Sequence, residues 1–224
     1  MANKYIESYL IYSLIFLSLW SFIWLLSKDN RKRMLKISLI LSPIGAISQF
    51  WYLNDYWHPK FSFQSFINIE DYIFTFALAG ISFTIYKVVF KLGSNNQRCF
   101  KRRANMAFLF FGIVLLSLIF FSTYLNYNSV IVSSNAFFAI ILIMWLLRPD
   151  LIFPSLISGF LTLLVFLIVY QLMFSLYPNF MDEWCFNCNP SGVSILGVNI
   201  EELIWDFSWG AIGGIIYEFI SGKG

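Results

Sequence analysis

Ile67-Asn68-Ile69-Glu70-Asp71-Tyr72-Ile73-Phe74 recurs about 131 positions later as Val198-Asn199-Ile200-Glu201-Glu202-Leu203-Ile204-Trp205. Each stretch opens a long apolar run. Each also follows an Asp-x-Trp, first Asp55-Tyr56-Trp57 and then Asp182-Glu183-Trp184. An adjacent pair of acids at the mouth of an apolar helix is costly and by default marks function. Having the pair twice, in matching surroundings, points to an internal repeat with the acids as its candidate site.

Composition sets the class. The chain is 59% hydrophobic and 12% charged, against about 25% charged in a soluble domain. The apolar residues come in long blocks, and a membrane-spanning helix needs about 20 mostly apolar residues. Seven segments meet or approach that, at 5–27, 36–53, 71–92, 105–124, 129–147, 151–177 and 200–221. The sequence therefore predicts an all-α integral membrane protein with seven transmembrane helices. Only Arg148-Pro149-Asp150 separates the fifth and sixth segments, which predicts a tight hairpin there.

Orientation follows from the basic residues. Lys28, Arg31, Lys32, Arg33 and Lys36 lie in the first loop, Arg98, Lys101, Arg102 and Arg103 in the third, and Arg148 in the fifth. These loops share one face, which the positive-inside rule makes cytoplasmic. The opposite loops carry Asp55, Asp182, Glu183 and both acid pairs. The expected topology is N-terminus outside and C-terminus cytoplasmic. Membrane topology accounts for the net charge of +3 without nucleic acid. The first segment lacks a basic lead-in and a small-residue cleavage site, so it reads as a retained helix.

The acid motifs open the third and seventh helices, which an even number of crossings makes parallel. The simplest organisation of this single membrane domain is 3+1+3: residues 1–93 (helices 1–3), a linking helix within 94–128, and residues 129–224 (helices 5–7). Such parallel repeats are related by an axis along the membrane normal. Glu70 and Glu201 would then lie at equal depth and face each other. The correspondence continues inward, with Ile73 matching Ile204, Phe76 matching Phe207 and Tyr86 matching Tyr217.

Neighbours on a helix point about 100° apart, so one acid of each pair can look at the bundle centre. Acids also favour helix N-termini for the macrodipole alone, which is the structural alternative for Glu70-Asp71 and Glu201-Glu202. Asn68 and Asn199 are good N-cap residues that would fix both helix starts. Asp206 sits one turn beyond Glu202, at a depth where a carboxylate is a candidate for function; its repeat mate is Thr75. Glu218 is expected to snorkel to the cytoplasmic surface. Phe74, Trp205, Phe207 and Trp209 lie within about two turns of the acids, and aromatic faces attract cations. Trp57 and Trp184 precede the motifs at the expected membrane interface.

Other features add little. Cys185-Phe186-Asn187-Cys188 is a lone CxxC, short of the four ligands of a structural zinc site; a disulfide or two plain thiols are the simpler readings. No dinucleotide or P-loop motif is present. His58 is the sole histidine, which argues against a histidine-rich metal centre. No cofactor, metal or nucleic-acid partner is expected.

The chain resembles the lycopene cyclase domain proteins. These small membrane carotenoid cyclases occur in bacteria as heterodimers or single chains and in fungi fused to phytoene synthase. Their hallmark is Pro-x-Glu-(Glu/Asp) in each of two related three-helix halves. The corresponding stretches are Asn68-Ile69-Glu70-Asp71 and Asn199-Ile200-Glu201-Glu202, with Asn in place of both family prolines. Proline suits the first helical position, and Asn can start a helix by capping instead. The Trp-bearing loop before each motif and the Tyr217-Glu218 ending also fit.

The resemblance implies acid-catalysed cyclisation of the linear ends of lycopene or a related polyene, with no redox change. Protonating an unactivated double bond needs a carboxyl group that stays protonated near neutral pH. Burial and a second carboxylate both favour that. Glu70 and Glu201 are expected as the inward pair, Asp71 and Glu202 as tuning or alternating donors, and Asp206 as a secondary base. Phe74, Trp205, Phe207, Trp209, Trp57 and Trp184 would line the substrate. The expected partners are a carotenoid or polyprenoid lipid and the bilayer, in a bacterial cell membrane. Alternatives are another membrane terpenoid cyclase or isomerase, a 3+1+3 small-molecule transporter, and a scaffold without catalysis. Pro43 and Pro154 lack the following Gln expected of SWEET-type transporters.

Overall fold

The computed structural model describes residues 5–61, 68–92, 104–185 and 189–221. Ile67, Cys188, Cys99 and the basic run from Arg98 to Arg103, all used in the sequence argument, lie outside them.

The described chain is almost entirely helical. Helix α1 is Ser8–Leu26, and α2 is Arg31–Asp55 after a 3-10 turn. Helices α3 (Ile69–Ser82) and α4 (Ile85–Val89) follow. Helix α5 (Ala104–Ser117) runs on as a π-helical stretch, Leu118–Tyr124. Helices α6 (Ser129–Leu147) and α7 (Ile152–Leu176) are joined by the tight turn at Arg148–Leu151 that the spacing predicts. Short α8 (Phe180–Trp184) leads to a two-residue antiparallel hairpin, β1 (Ser194–Ile195) and β2 (Val198–Asn199), before α9 (Ile200–Ser221). The hairpin turns through Leu196 and Gly197, both at positive φ, a region natural to glycine.

Among the described residues, five helical stretches are long and apolar enough to cross a bilayer: Ser8–Leu26, Lys28–Asp55, Ser129–Leu147, Pro149–Leu176 and Ile200–Ser221. Their outer faces are apolar, with Leu146, Leu116 on the neighbouring α5, and Phe160 at 83%, 66% and 60% exposure. Two other expected segments are helical but not continuous α-helices. Segment 71–92 breaks at Phe83-Thr84, because side chains capture the carbonyls there. Ser158 Oγ donates to the Ser82 carbonyl, Arg33 to that of Phe83, and Thr84 Oγ to that of Gly80. Side chains inserted into the backbone ladder are a common cause of helix breaks. Segment 105–124 changes to π geometry at Leu118.

Packing is paired. Helix α3 lies against α1 and α2, and α9 lies against α6 and α7; α1 meets α7, α2 meets α6, and α3 meets α9. Small residues let these helices approach. A Cβ at Gly213 would stand 3.2 Å from the Ser82 carbonyl carbon, and one at Gly80 would strike the Trp20 indole.

One end of the bundle carries the N-termini of α3, α6 and α9. Asp55 caps α6 by accepting from Ser129 N–H and Oγ, and Lys60 pairs with Glu183 at 2.6 Å. The opposite end corrects one expectation. Glu218 does not snorkel: it is 6% exposed, and both Arg33 and Lys87 pair with it. Helix α4 brings Lys87 inward and α2 brings Arg33. The acid therefore finds its counter-charges inside the protein and has no need of the surface.

Candidate functional site

The first acid pair opens α3. Asn68 is extended (φ −91°, ψ 145°), as an N-cap residue should be, but its side chain accepts no helix N–H. The bonding runs the other way. Asp71, three residues on, accepts from the Asn68 backbone N–H and side-chain amide, while Asp71 N–H donates to the Asn68 carbonyl at 3.2 Å. This reciprocal closure follows capping-box logic. The Tyr9 hydroxyl also donates to Asp71 Oδ1 at 2.8 Å. Glu70 is fully buried, and its carbonyl accepts from Ser13 Oγ.

The second pair opens α9 differently. The Asn199 side chain accepts from Ser194 Oγ within the hairpin. Glu201 is buried, and its Oε1 accepts the Ser191 backbone N–H at 3.0 Å. Glu202 faces inward, on the side of Tyr170 and Tyr56. Glu202 is only partly covered, with Tyr12, Tyr56 and Tyr170 near it. Asp206, one turn deeper, is fully buried, and neither of its oxygens has a hydrogen-bond partner among the described residues. Tyr12 and Tyr170 stack on each other at 6.1 Å and both lie near the two acids. Tyr52 completes the ring of hydroxyls, interacting with Glu202 and accepting from Trp205 Nε1 at 3.2 Å.

Aromatic rings enclose this cluster. The Tyr12 ring lies 5.3 Å from Phe74 and 6.1 Å from Tyr170, and Phe16 and Phe166 pack beneath at 4.9 Å. Trp57 and Trp184 meet edge-on at 5.9 Å and roof the cluster through Tyr9 and Tyr12. Trp184 is buried and donates to Ser8 Oγ at 2.9 Å, so it belongs to the core and not to an outer belt. Trp205 and Trp209 stack in parallel at 5.8 Å against Phe137 of α6. Phe207 is turned away, packing on Phe138, Phe160 and the gap at Gly159.

Of the expected site residues, the fold brings together Glu202, Asp206, Phe74, Trp57 and Trp184 around a tyrosine cluster. Trp205 joins through Tyr52. Among the described interactions, none joins Glu70 to Glu201; the Glu70 carbonyl accepts from Ser13 and Glu201 accepts from Ser191. Thr75, the mate of Asp206, instead fills the α2–α3 contact at Gly45. Tyr9, Tyr12, Tyr56 and Tyr170 were not singled out from the sequence. The signal for two of them was Tyr9, Tyr12 and Phe16, a single stripe at helical spacing on an otherwise apolar segment.

Two acids in a shell of rings can hold and exchange a proton where water is scarce. The ring faces attract positive charge. Among the described residues, no group of three or more His, Cys, Asp or Glu is placed to hold a metal ion.

Residues 128–220 match a family model described as lycopene cyclase. No curated protein and no solved structure gives a match.

Proposed function

We propose that this chain, whose second half matches the lycopene cyclase family, is a membrane carotenoid cyclase. It acts on the linear end of lycopene or a related polyene. The observation that carries the reading is the pair Glu202 and Asp206, one turn apart on α9, inside a shell of tyrosine, phenylalanine and tryptophan rings. The family match covers this same helix.

The chemistry is an isomerisation. A carboxyl group of the pair adds its proton to the terminal carbon–carbon double bond, leaving a tertiary cation. A neighbouring double bond attacks that cation, closing the ring and moving the charge into it. A carboxylate removes a ring proton, and the electrons of that C–H bond form the new alkene. One proton is taken up and one is released, with no electron transfer. Acid–base help of this type contributes about 10²–10⁴-fold. Ring faces stabilise the cation, and the closed aromatic shell keeps out water that would trap it.

The remaining acids support this centre. Asp71 closes the start of α3, and Glu201 anchors the loop before α9; Glu70 is held beside Asp71. An apolar groove of about 450 Å³ on the α1–α7 seam, lined by Ile11, Leu14, Ile15, Ser18, Leu19 and Leu172, supports lateral entry of a lipid substrate. The 3+1+3 repeat with seven crossings and an outer N-terminus belongs to the same proposal. It is supported by the matched packing of α1–α3 and α6, α7 and α9.

The test is a pigment extract from a lycopene-accumulating host expressing this chain. Ionone-ring products are expected, and they should disappear in Glu202→Gln. Cyclic product retained in Glu202→Gln at normal protein level removes Glu202 from the mechanism. No cyclic product with the wild-type chain, properly inserted, overturns the reading.

A further inference from the structure

A second pocket lies apart from the acids, on another side of α2. Tyr52 accepts from Trp205 Nε1 on the side of the acids. Its neighbour Trp51 turns to the π-helical stretch, where its Nε1 donates to Thr123 Oγ1 at 3.2 Å. Here opens a pocket of about 270 Å³, lined by Trp51, Asn54, Asp55, Ser122, Thr123 and Asn126. A water takes up about 30 Å³ of the liquid, so the space suits one small ring. The backbone shapes this wall. Leu118–Tyr124 is wound as a π-helix, a rare geometry that concentrates at functional sites. Tyr127 N–H reaches the Phe121 carbonyl at 3.0 Å at its end, and Asn126 stands at φ 54°. Asparagine is among the few side chains that tolerate that region.

The lining is polar and almost wholly neutral. Among the described residues it includes no Lys, Arg or His. Its one charge is Asp55, whose oxygens already accept from Ser129 Oγ and N–H at 2.5 and 2.8 Å. A phosphate would therefore meet a carboxylate and no cation. An ammonium group would find only Asp55, which is engaged at the start of α6. What remains is a mixed set of donors and acceptors. The exposed Asn126 amide offers two donors and an acceptor. Thr123 Oγ1 accepts from Trp51 and keeps its own proton to give. Asn54 donates to the Phe50 carbonyl at 2.5 Å and keeps its side-chain oxygen. Ser122 Oγ is enclosed with no hydrogen-bond partner among the described residues, a state that calls for an explanation. Sugar hydroxyls both give and accept, and the C–H edges of a sugar ring suit the negative face of an indole. The pocket also sits where the apolar stretch Lys28–Asp55 ends, at the bilayer edge. Around it Phe50, Phe120, Phe121, Tyr124 and Tyr127 are between 43% and 72% exposed, as rings among acyl chains and headgroups are. We propose that this pocket binds the neutral sugar headgroup of a glycosyl lipid whose chains lie on those rings. The proposal is independent of the cyclase reading.

The test is lipid binding by the full chain in a detergent that carries no sugar, followed by native mass spectrometry and by Tm. The probes are monoglucosyl diacylglycerol, phosphatidylethanolamine and phosphatidylglycerol with the same acyl chains, and free methyl glucoside. One glucosyl lipid per chain and a raised Tm are expected, with weaker responses to the two phospholipids. Asn126→Gly keeps the positive φ and removes the amide, so it leaves the fold in place. It is expected to weaken glucosyl-lipid binding about two- to twelvefold, the worth of one hydrogen bond. Trp51→Phe removes the indole N–H and is expected to weaken it as well. Equal binding of all three lipids would mean that the chains alone are held, and overturns the proposal. So does glucosyl-lipid binding that neither substitution changes, or no binding at all. Methyl glucoside binding as tightly as the lipid would overturn the lipid source and leave the sugar site. Each readout is independent of cyclic product, so failure here leaves the cyclase reading standing, and the reverse.

Discussion

Lys87 and Glu218 form an ion pair at 2.5 Å, and 131 positions separate them, the offset that relates Glu70 to Glu201. Residues separated by the motif offset thus meet each other. Ser82 and Gly213 share that offset and mark the close approach of α3 and α9. Such contacts are what the proposed repeat axis between α3 and α9 requires. The acids lie at the other end of the same two helices, where Tyr12 reaches both Phe74 of α3 and the acids of α9.

Glu218→Ala should be among the most destabilising single changes. It leaves Arg33 and Lys87 buried without their shared partner, with side chains only 13% and 7% exposed. Breaking a buried ion pair costs about 3–5 kcal/mol. Lys87→Met should cost less, because Arg33 still neutralises Glu218. Thermal unfolding in detergent checks the order; equal Tm values for the two variants would refute it.

Gly213→Val should force α3 and α9 apart. Its Cβ would stand 2.7 Å from the Phe83 ring and 3.2 Å from the Ser82 backbone. Overpacking of this type costs about 1–3 kcal/mol, read as a lower Tm. No loss of stability would mean that the helices are not in contact there.

Tyr9→Phe should weaken the protein while sparing chemistry. It removes the bond to Asp71 and leaves a buried acceptor short of a donor, at a cost of about 1–3 kcal/mol. Cyclic product per molecule of folded protein should stay near wild type. Abolished product at normal stability would place Asp71, and not the α9 acids, at the centre of the reaction.

Phe74→Leu and Phe207→Leu separate two rings that the sequence treats alike. Phe74 lies on Tyr12 within the cluster, whereas Phe207 packs on the far side of α9. A lost cation–ring contact should lower turnover of Phe74→Leu between about twofold and thirtyfold. Phe207→Leu should be nearly neutral. Pigment yield normalised to protein level distinguishes them.

Much of this was legible before any coordinates. Long apolar blocks force backbone hydrogen bonds to close within each segment, so helices and their approximate bounds could be read directly. The doubled acids pointed to α3 and α9, and Asp206 stood out by its depth. The break at Phe83-Thr84 was hidden, because the groups that cause it, Ser158 and Arg33, come from distant parts of the chain. The burial of Glu218 was hidden for the same reason.

What the residue order determined by itself is local: which segments are apolar enough to be helices, and where charge interrupts them. Only the tertiary structure decided which acids share a site. Asp71 and Glu202 hold equivalent places in their motifs, yet one is tied to Asn68 and Tyr9 and the other lies beside Tyr170 and Tyr56. That choice depends on a side chain longer by one methylene and on tyrosines from helices remote in sequence. No pattern along a single strand of chain records which hydroxyl will stand opposite which carboxyl group.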